Sequence, residues 1–350
     1  MTMWWASIRD MQWRRRRFMI GVAGAAVVFA MALLLSGLSA GFRAEPRRTI
    51  EALGGDGWVM EKGATGPITS VSPLPLTAID EVRATAGVTR ADGIILSRVA
   101  VSSTRRMVML IGHTPGGVGV PPIVEGRAAN ALGEVVVDRS LHAVIGETMV
   151  FSGQALRVVG QTSARTLLSG NPDVFVVLDQ ARDIAFKGLP LVSAIVFEGR
   201  PTAPLPSGTK VMTQQEVIAD GLEPMIKPIQ AVDVIRNLLW LVAAIIIGSI
   251  VYLTALERMR DFAVLKAVGA SSSALGGGLA LQAVLLSMVA ALLAAVLATL
   301  LEPLFPLPVV ISRLALISLP LIAALVGMLA SLAGLRRVTA SDPVAAFGSA

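Results

Sequence analysis

The chain has 350 residues, 54% of them apolar and only 15% charged, where an ordinary soluble domain carries roughly 25% charge; this is the balance of a membrane protein with a few spans and one or two folded modules. The absence of cysteine excludes a disulfide scaffold, a Cys-ligated metal and a thiol nucleophile. The net charge of +6 does not mark a nucleic-acid binder: residues 42–235 hold 18 basic and 19 acidic side chains, and the surplus lies beside apolar runs, chiefly at Arg9 and residues 14–17 and at Arg236, Arg336 and Arg337, where it sets orientation and builds no phosphate-binding face.

Residues 1–17 open with Trp4, Trp5, Ile8 and Met11 on one helical face and Arg9 and Gln12 turned away. The pattern predicts a short cytoplasmic interfacial helix, with indole rings at the headgroup level. Residues 18–41 form the first apolar run. Its core exceeds the ~7–15 residues of a signal-peptide h-region, and no A-x-A site follows, so a retained first span is expected.

Residues 42–235 are too long and too patterned for a linker. Gly54, Gly55, Gly57 and Pro67 make the first part rich in turns, and short strands are predicted at 93–101, 107–112, 134–138, 148–151, 156–160 and 174–178. Ser152-Gly153-Gln154 between two apolar runs signals a tight hairpin. Short helices are expected at 79–86 and 213–220, the second with Thr213 as N-cap and Glu216 at the capping-box position. The expectation is an extracytoplasmic α+β domain, built as two lobes, inserted between the first and second spans.

Three further runs are long enough to cross a bilayer: 236–256, 279–301 and 314–335. Between them lie an inner loop at 257–278 and an outer loop at 302–313, and the chain ends in a tail at 336–350. Basic residues cluster at 14–17, in the inner loop and at Arg336–Arg337, so the positive-inside rule places both termini in the cytoplasm of a multi-pass cell-membrane protein and the large domain outside. In the third span Ala283, Ser287, Ala291, Ala295 and Thr299 recur every fourth residue, and the fourth offers Ala323, Gly327 and Ser331; small residues at that spacing let two helices approach closely.

The chemistry the chain lacks is equally informative. No Gly is followed by Lys, so no P-loop is present, and there is no H-E-x-x-H. His113 and His142 read as ordinary surface or loop residues. Gly37-Leu38-Ser39-Ala40-Gly41 fits the nucleophile-elbow string, but it closes a span where that motif needs a strand before it and a helix after it. Beyond Arg236 at the very edge of the second, no span carries a charged residue, which disfavours an ion-coupled carrier.

The segment at 257–271 (ERMRDFAVLKAVGAS) is the most specific in the chain. If the second span continues as a helix past Leu256, then Phe262, Leu265 and Val268/Gly269 form an apolar stripe flanked by Arg258, Asp261 and Lys266, suited to a groove on a soluble partner. Gly269 ends the helix and Ser271 starts the return to the membrane. A mere connector needs far fewer residues.

With its acidic–Arg pair Glu257-Arg258, its apolar stretch Phe262 and Leu265 with Lys266, and its closing Gly269-Ala270-Ser271, this loop resembles the one after the second span in the FtsX-like/MacB-like permeases, the type VII ABC transporters. Residues 133–160 are similar to the β-rich part of that family's periplasmic domain. The resemblance covers essentially the whole chain. Two departures are residues 142–145, where members often carry a Gly-Leu-Lys-Val-like run, and the weakly matching part around 42–75.

The resemblance implies a non-catalytic permease subunit that pairs with a second copy, as homodimer or paralogous heterodimer, and with cytoplasmic P-loop ATPases. ATP and magnesium would be bound by the ATPase, with no cofactor in this chain. Glu257, Arg258, Phe262, Leu265, Lys266 and Gly269 would couple the two, and the work of export or mechanotransmission would be done outside, with membrane lipid and a periplasmic or cell-wall protein as further partners. Two other classes stay open from the residues: a membrane regulator of an external cell-wall enzyme without net transport, and an uptake permease for a small polar solute such as an amino acid.

Overall fold

The computed structural model describes residues 15–339 except 71, 164, 270, 306 and 308. The interfacial helix expected from residues 4–11 lies outside the described residues. The chain divides into two units, a membrane unit of Met1–Gly41 with Gln230–Ala350 and an outer unit of Phe42–Ile229.

The first helix, α1, runs over Arg15–Leu53 without interruption, so helix does not stop where hydropathy does. Pro46 sits inside it and removes the N–H that would bond the Phe42 carbonyl, a cost of about 3 kcal/mol. The residues beyond Pro46 offset this by burial: Ile50 and Leu53 are fully enclosed by the outer unit's core.

In chain order the outer unit continues with β1 (Gly57–Glu61), β2 (Leu74–Pro75), α2 (Ala78–Arg83), β3 (Val88–Ala100), β4 (Met107–His113), β5 (Glu125–Gly126), β6 (Glu134–Asp138), β7 (Thr148–Phe151), β8 (Gln154–Thr162), β9 (Thr166–Leu167), β10 (Asn171–Val177), α3 (Leu178–Phe186), β11 (Leu191–Val192), β12 (Ala194–Gly199), β13 (Thr209–Thr213) and α4 (Gln214–Leu222). Eleven strands form one sheet in the order β13-β1-β12-β3-β4-β10-β6-β8-β5, with β7 on β8 and β9 on β10. The pairs β4–β10 and β6–β8 are parallel and the other pairs antiparallel. The two expected lobes are therefore one continuous sheet.

Both faces of that sheet are buried. Val135, Val137, Val174 and Val176 point to one face with α2 and α3, through Ile79, Val82 and Ala181. Val136, Phe175, Val196 and Trp58 point to the other, with Ile50 and Leu53 of α1 and Val217 of α4. The period-two alternation of side chains in a strand turns the continuous run Glu134–Asp138 into two apolar faces. The hairpin at Ser152-Gly153 has φ of +46° and +88°, the left-handed pair that a two-residue turn of matching twist requires. The capping box of α4 is complete: Thr213 Oγ1 accepts from Glu216 N and Glu216 Oε2 accepts from Thr213 N at 2.7 Å.

The expectation for His113 is corrected here, while His142 is an exposed residue as expected. His113 is no surface residue: it ends β4 with no exposed surface, because the strand runs one residue past the glycine that was read as its end. His142 caps the single 3-10 turn Arg139–Leu141 with φ of +55°.

The membrane unit holds α1 up to Gly41, α5 (Ile226–Glu257) from Gln230 on, α6 (Met259–Ala267), α7 (Ser272–Leu301) and α8 (Arg313–Thr339). Among the described residues four helices are long and apolar enough to span a bilayer. The chain is thus a membrane protein of four transmembrane helices with a large α+β extracytoplasmic domain between the first and second.

Candidate functional site

The inner segment is built from two helix breaks. Helix α5 ends at Glu257, and Arg258 leaves helical geometry at φ −102°, ψ +13°. A separate nine-residue helix, α6, follows, so the helix of the second span does not run on through the segment. Its far end is closed by Gly269, whose φ of +100° is cheap only for a residue without Cβ; Gly269 N donates to Lys266 O at 3.0 Å. Ser271 then N-caps α7, its Oγ accepting from Ala274 N at 3.2 Å.

The exposed face of α6 keeps Leu265 and Val268 of the expected stripe but not Phe262. Phe262 is only 4% exposed and joins the membrane unit's core with Leu275 and Leu279, and the Arg258 guanidinium lies over its ring at 5.6 Å, a cation–π contact. Val264, Leu265 and Val268 are instead the exposed apolar side chains, Val268 at 82%. Glu257, Asp261 and Gly269 are exposed and Lys266 half-buried, with Arg258 Nε 3.8 Å from Asp261 Oδ2. The helix is therefore anchored by Phe262 and Ala263 on one side and presents a Val264–Leu265–Val268 ridge on the other. The sequence shows that one stripe of the segment is apolar; which of its residues faces the core depends on the break at Arg258, which sequence alone does not reveal.

Small residues organise the spans. Ala283, Ser287, Ala291, Ala294 and Ala298 are buried along α7, while Thr299 is exposed and Ala295 half-buried. A strict four-residue repeat drifts around a 3.6-residue helix, so the buried line steps from Ala291 to Ala294. Opposite it, a Cβ on Gly327 of α8 would lie 2.8 Å from Ala283 O and 2.9 Å from Val284 Cα. Gln282, also in α7, is buried with an amide nitrogen that has no hydrogen-bond partner among the described residues; its place inside an apolar run was the available signal, and it went unread.

Ser39 of the Gly37–Gly41 string lies within α1 and donates to Asp233 Oδ1 at 3.1 Å, while Arg236 Nη1 holds the same carboxylate at 2.9 Å. That is an interhelical hydrogen bond; the strand–turn–helix geometry of a nucleophile elbow is absent here. The groove lined by Leu241, Ala244, Ile245, Gly248, Ser249, Tyr252 and residues of α8 is mostly apolar, and the Ser249 hydroxyl is already donated to Ile245 O. Among the described residues no group of three His, Cys, Asp or Glu side chains is placed to hold a metal ion.

A four-span membrane unit with an outer sheet domain and a short amphipathic inner helix defines a class, the permease subunits of FtsX-like architecture. The model of the FtsX-like permease C-terminal domain matches residues 237–343. The uncharacterized ABC transporter permease Rv2563 of Mycobacterium tuberculosis (strain H37Rv) is 39% identical over 348 residues, covering 99% of each chain, and Rv0072 of the same strain is 37% identical with the same coverage. The extracellular domain of the ABC-type transporter YknZ from Gram-positive bacteria aligns with a TM-score of 0.34 at 11% identity, covering 46% of this chain and all of that one. The periplasmic region of MacB from Actinobacillus actinomycetemcomitans aligns with the same TM-score at 12% identity, over 50% and 96%. The chain belongs to the ABC transporter permeases that carry an FtsX-like C-terminal domain.

Proposed function

We propose that this permease is a non-catalytic subunit driven by a separate cytoplasmic P-loop ATPase, which binds the ATP and magnesium, and that α6 is where the ATPase grips it. The observation that carries this reading is the exposed Val264–Leu265–Val268 ridge on a helix of only nine residues between two spans. Such a ridge is costly in water and fits an apolar groove. Glu257, Arg258 and Lys266 flank it as the polar rim, Gly269 fixes its end, and Phe262 acts from behind by seating α6 on the core.

In this reading two permease copies pair in the lipid bilayer, with both termini cytoplasmic. Closure of the ATPases displaces α6, and the movement reaches the outer unit through α1 and α5, the helices within which both unit boundaries fall. The work is export or mechanotransmission on a periplasmic or cell-wall partner. The apolar lining of the groove on α5 offers a small polar solute little to bind, which favours this reading over uptake.

The test is co-purification from the native membrane in mild detergent. A P-loop ATPase accompanying the native chain and lost with Leu265→Asp/Val268→Asp, at unchanged thermal unfolding, supports the reading. Retention of the ATPase by that variant overturns α6 as the grip. Absence of any ATPase from the native chain, with cell-wall proteins in its place, overturns the ATPase-driven reading in favour of a regulator.

A further inference from the structure

The part of α1 that belongs to the outer unit is fastened to the sheet by carboxyl groups in an almost dry setting. Glu45, Thr49, Asp138 and Asp173 are each no more than 3% exposed. Thr166 Oγ1 donates to Glu45 Oε1 at 3.0 Å and Ser169 N to Glu45 Oε2 at 3.1 Å. Thr49 Oγ1 donates to Asp173 Oδ2 at 2.7 Å, and the Arg165 guanidinium donates to Arg48 O. One turn of helix is thereby tied to β9, β10 and the segments beside them.

The three carboxyls are not equivalently served. Asp138 accepts from Ser140 N at 3.0 Å, Arg165 N at 2.9 Å and Thr162 Oγ1 at 3.4 Å. Both oxygens of Glu45 have donors. Asp173 has only the Thr49 hydroxyl, and its Oδ1 has no partner among the described residues although the side chain is wholly enclosed. The charged groups acting on this cluster are Glu45 and Arg48 of α1, Asp138 at the end of β6, Arg165 before β9 and Asp173 of β10. Two guanidinium groups thus face three carboxyls, and the orphan oxygen is the atom left for a proton. A buried carboxylate with one donor is costly as an anion and far less so as an acid.

We propose that Asp173 carries a proton which latches the outward extension of α1 to the sheet, and that loss of this proton releases the segment. The latch makes the outer unit responsive to the acidity of the external medium, independently of how the ATPase is coupled. Burial first, and then the neighbouring Asp138 and Glu45 charges, push the Asp173 carboxyl up to about 8, against the opposing Thr49 hydrogen bond and Arg165 charge. The sign follows: the native state holds a proton that the unfolded chain sheds near pH 4, so the contribution is present in acid and is lost as the pH rises through the folded value.

The experiment is hydrogen exchange of residues 42–53 in the full chain in lipid nanodiscs, corrected for intrinsic rates, from about pH 6 to about pH 9. Protection in the native chain should fall about a hundredfold between about pH 6 and about pH 8 and level off above, as a sub-global opening that frees the carboxyl would, while Asp173→Asn, neutral throughout, stays flat. A flat native profile, or a transition retained in Asp173→Asn, overturns the proposal. If Asp173→Asn does not fold, Glu45→Gln and Thr49→Val decide: removing a neighbouring negative charge should move the transition to lower pH, and removing the donor to the anion should move it to higher pH. Displacement in one common direction, or none, overturns the latch.

Discussion

Asp220 shows how one side chain fixes a loop. It is 7% exposed at the end of α4 and accepts from Ile68 N at 2.9 Å, Thr69 N at 3.3 Å and the Thr69 hydroxyl, so the segment after β1 closes on a carboxylate as well as on its own backbone. A Cβ on Gly66 would fall on that carboxylate. Asp220→Ala should lower stability by about 1–3 kcal/mol, the cost of orphaning buried donors, and Gly66→Ala should do comparable damage by displacing the acceptor; thermal unfolding followed by tryptophan fluorescence measures both. His113 makes a pH prediction of opposite sign to that of Asp173. Burial pushes its imidazole below the usual range, against a weaker hydrogen bond to Thr114 O. The native state therefore holds it neutral while the unfolded chain protonates near pH 6.5, and stability is lost as the pH falls below that value. Relative to the native chain, His113→Leu should gain stability between about pH 7 and about pH 5, and a constant difference across that interval would reject the account.

At the scale of elements, close approach of α7 and α8 depends on Gly327, because the atoms a Cβ would meet include the Ala283 carbonyl and Val284 Cα, which cannot rotate away. Gly327→Ala should destabilise the membrane unit by about 1–3 kcal/mol through overpacking, whereas Ala323→Gly on the same face leaves the approach open; a differential melt in detergent distinguishes them. In α6, Phe262→Ala should lower the unfolding temperature, and Val268→Asp should leave it unchanged while weakening ATPase capture. Elements were legible where local signals are strong. The Thr213/Glu216 capping box, the Ser152-Gly153 hairpin and the strands Glu134–Asp138 and Thr148–Phe151 all rest on chemistry within a few residues. The strands Gly57–Glu61 and Ala194–Gly199 went unread because their partners are far away in sequence. The extension of α1 past Gly41 was hidden because charge, Pro46 and falling hydropathy all mark a membrane exit, and a membrane exit is not a helix end. The core-facing role of Phe262 was hidden for a related reason: an amphipathic stripe tells that a face is apolar, and only the break at Arg258 tells what it meets.

The whole molecule offers a direct test of orientation, since a chain without cysteine accepts single reporters. Leu132→Cys and Val268→Cys occupy exposed sites, at 63% and 82%. A membrane-impermeant maleimide should label the first in intact cells and the second only after permeabilisation; the reverse pattern would invert the topology. The sheet itself carries a consequence for how the protein is made. Strand β1 is among the first parts of the outer unit to emerge, yet its neighbours on both sides, β12 and β13, are among the last, with Trp58 opposite Val196 and Met212. Until the chain up to Gly199 has crossed the bilayer, β1 has no strand on either edge and β3 lacks the partner that pairs with its first half, and the second edge of β1 waits for Thr213. Such distant pairing is slow to form and leaves apolar strands open to aggregation while it waits. The outer unit can complete its sheet only after nearly all of it has been exported, so its assembly is timed by translocation.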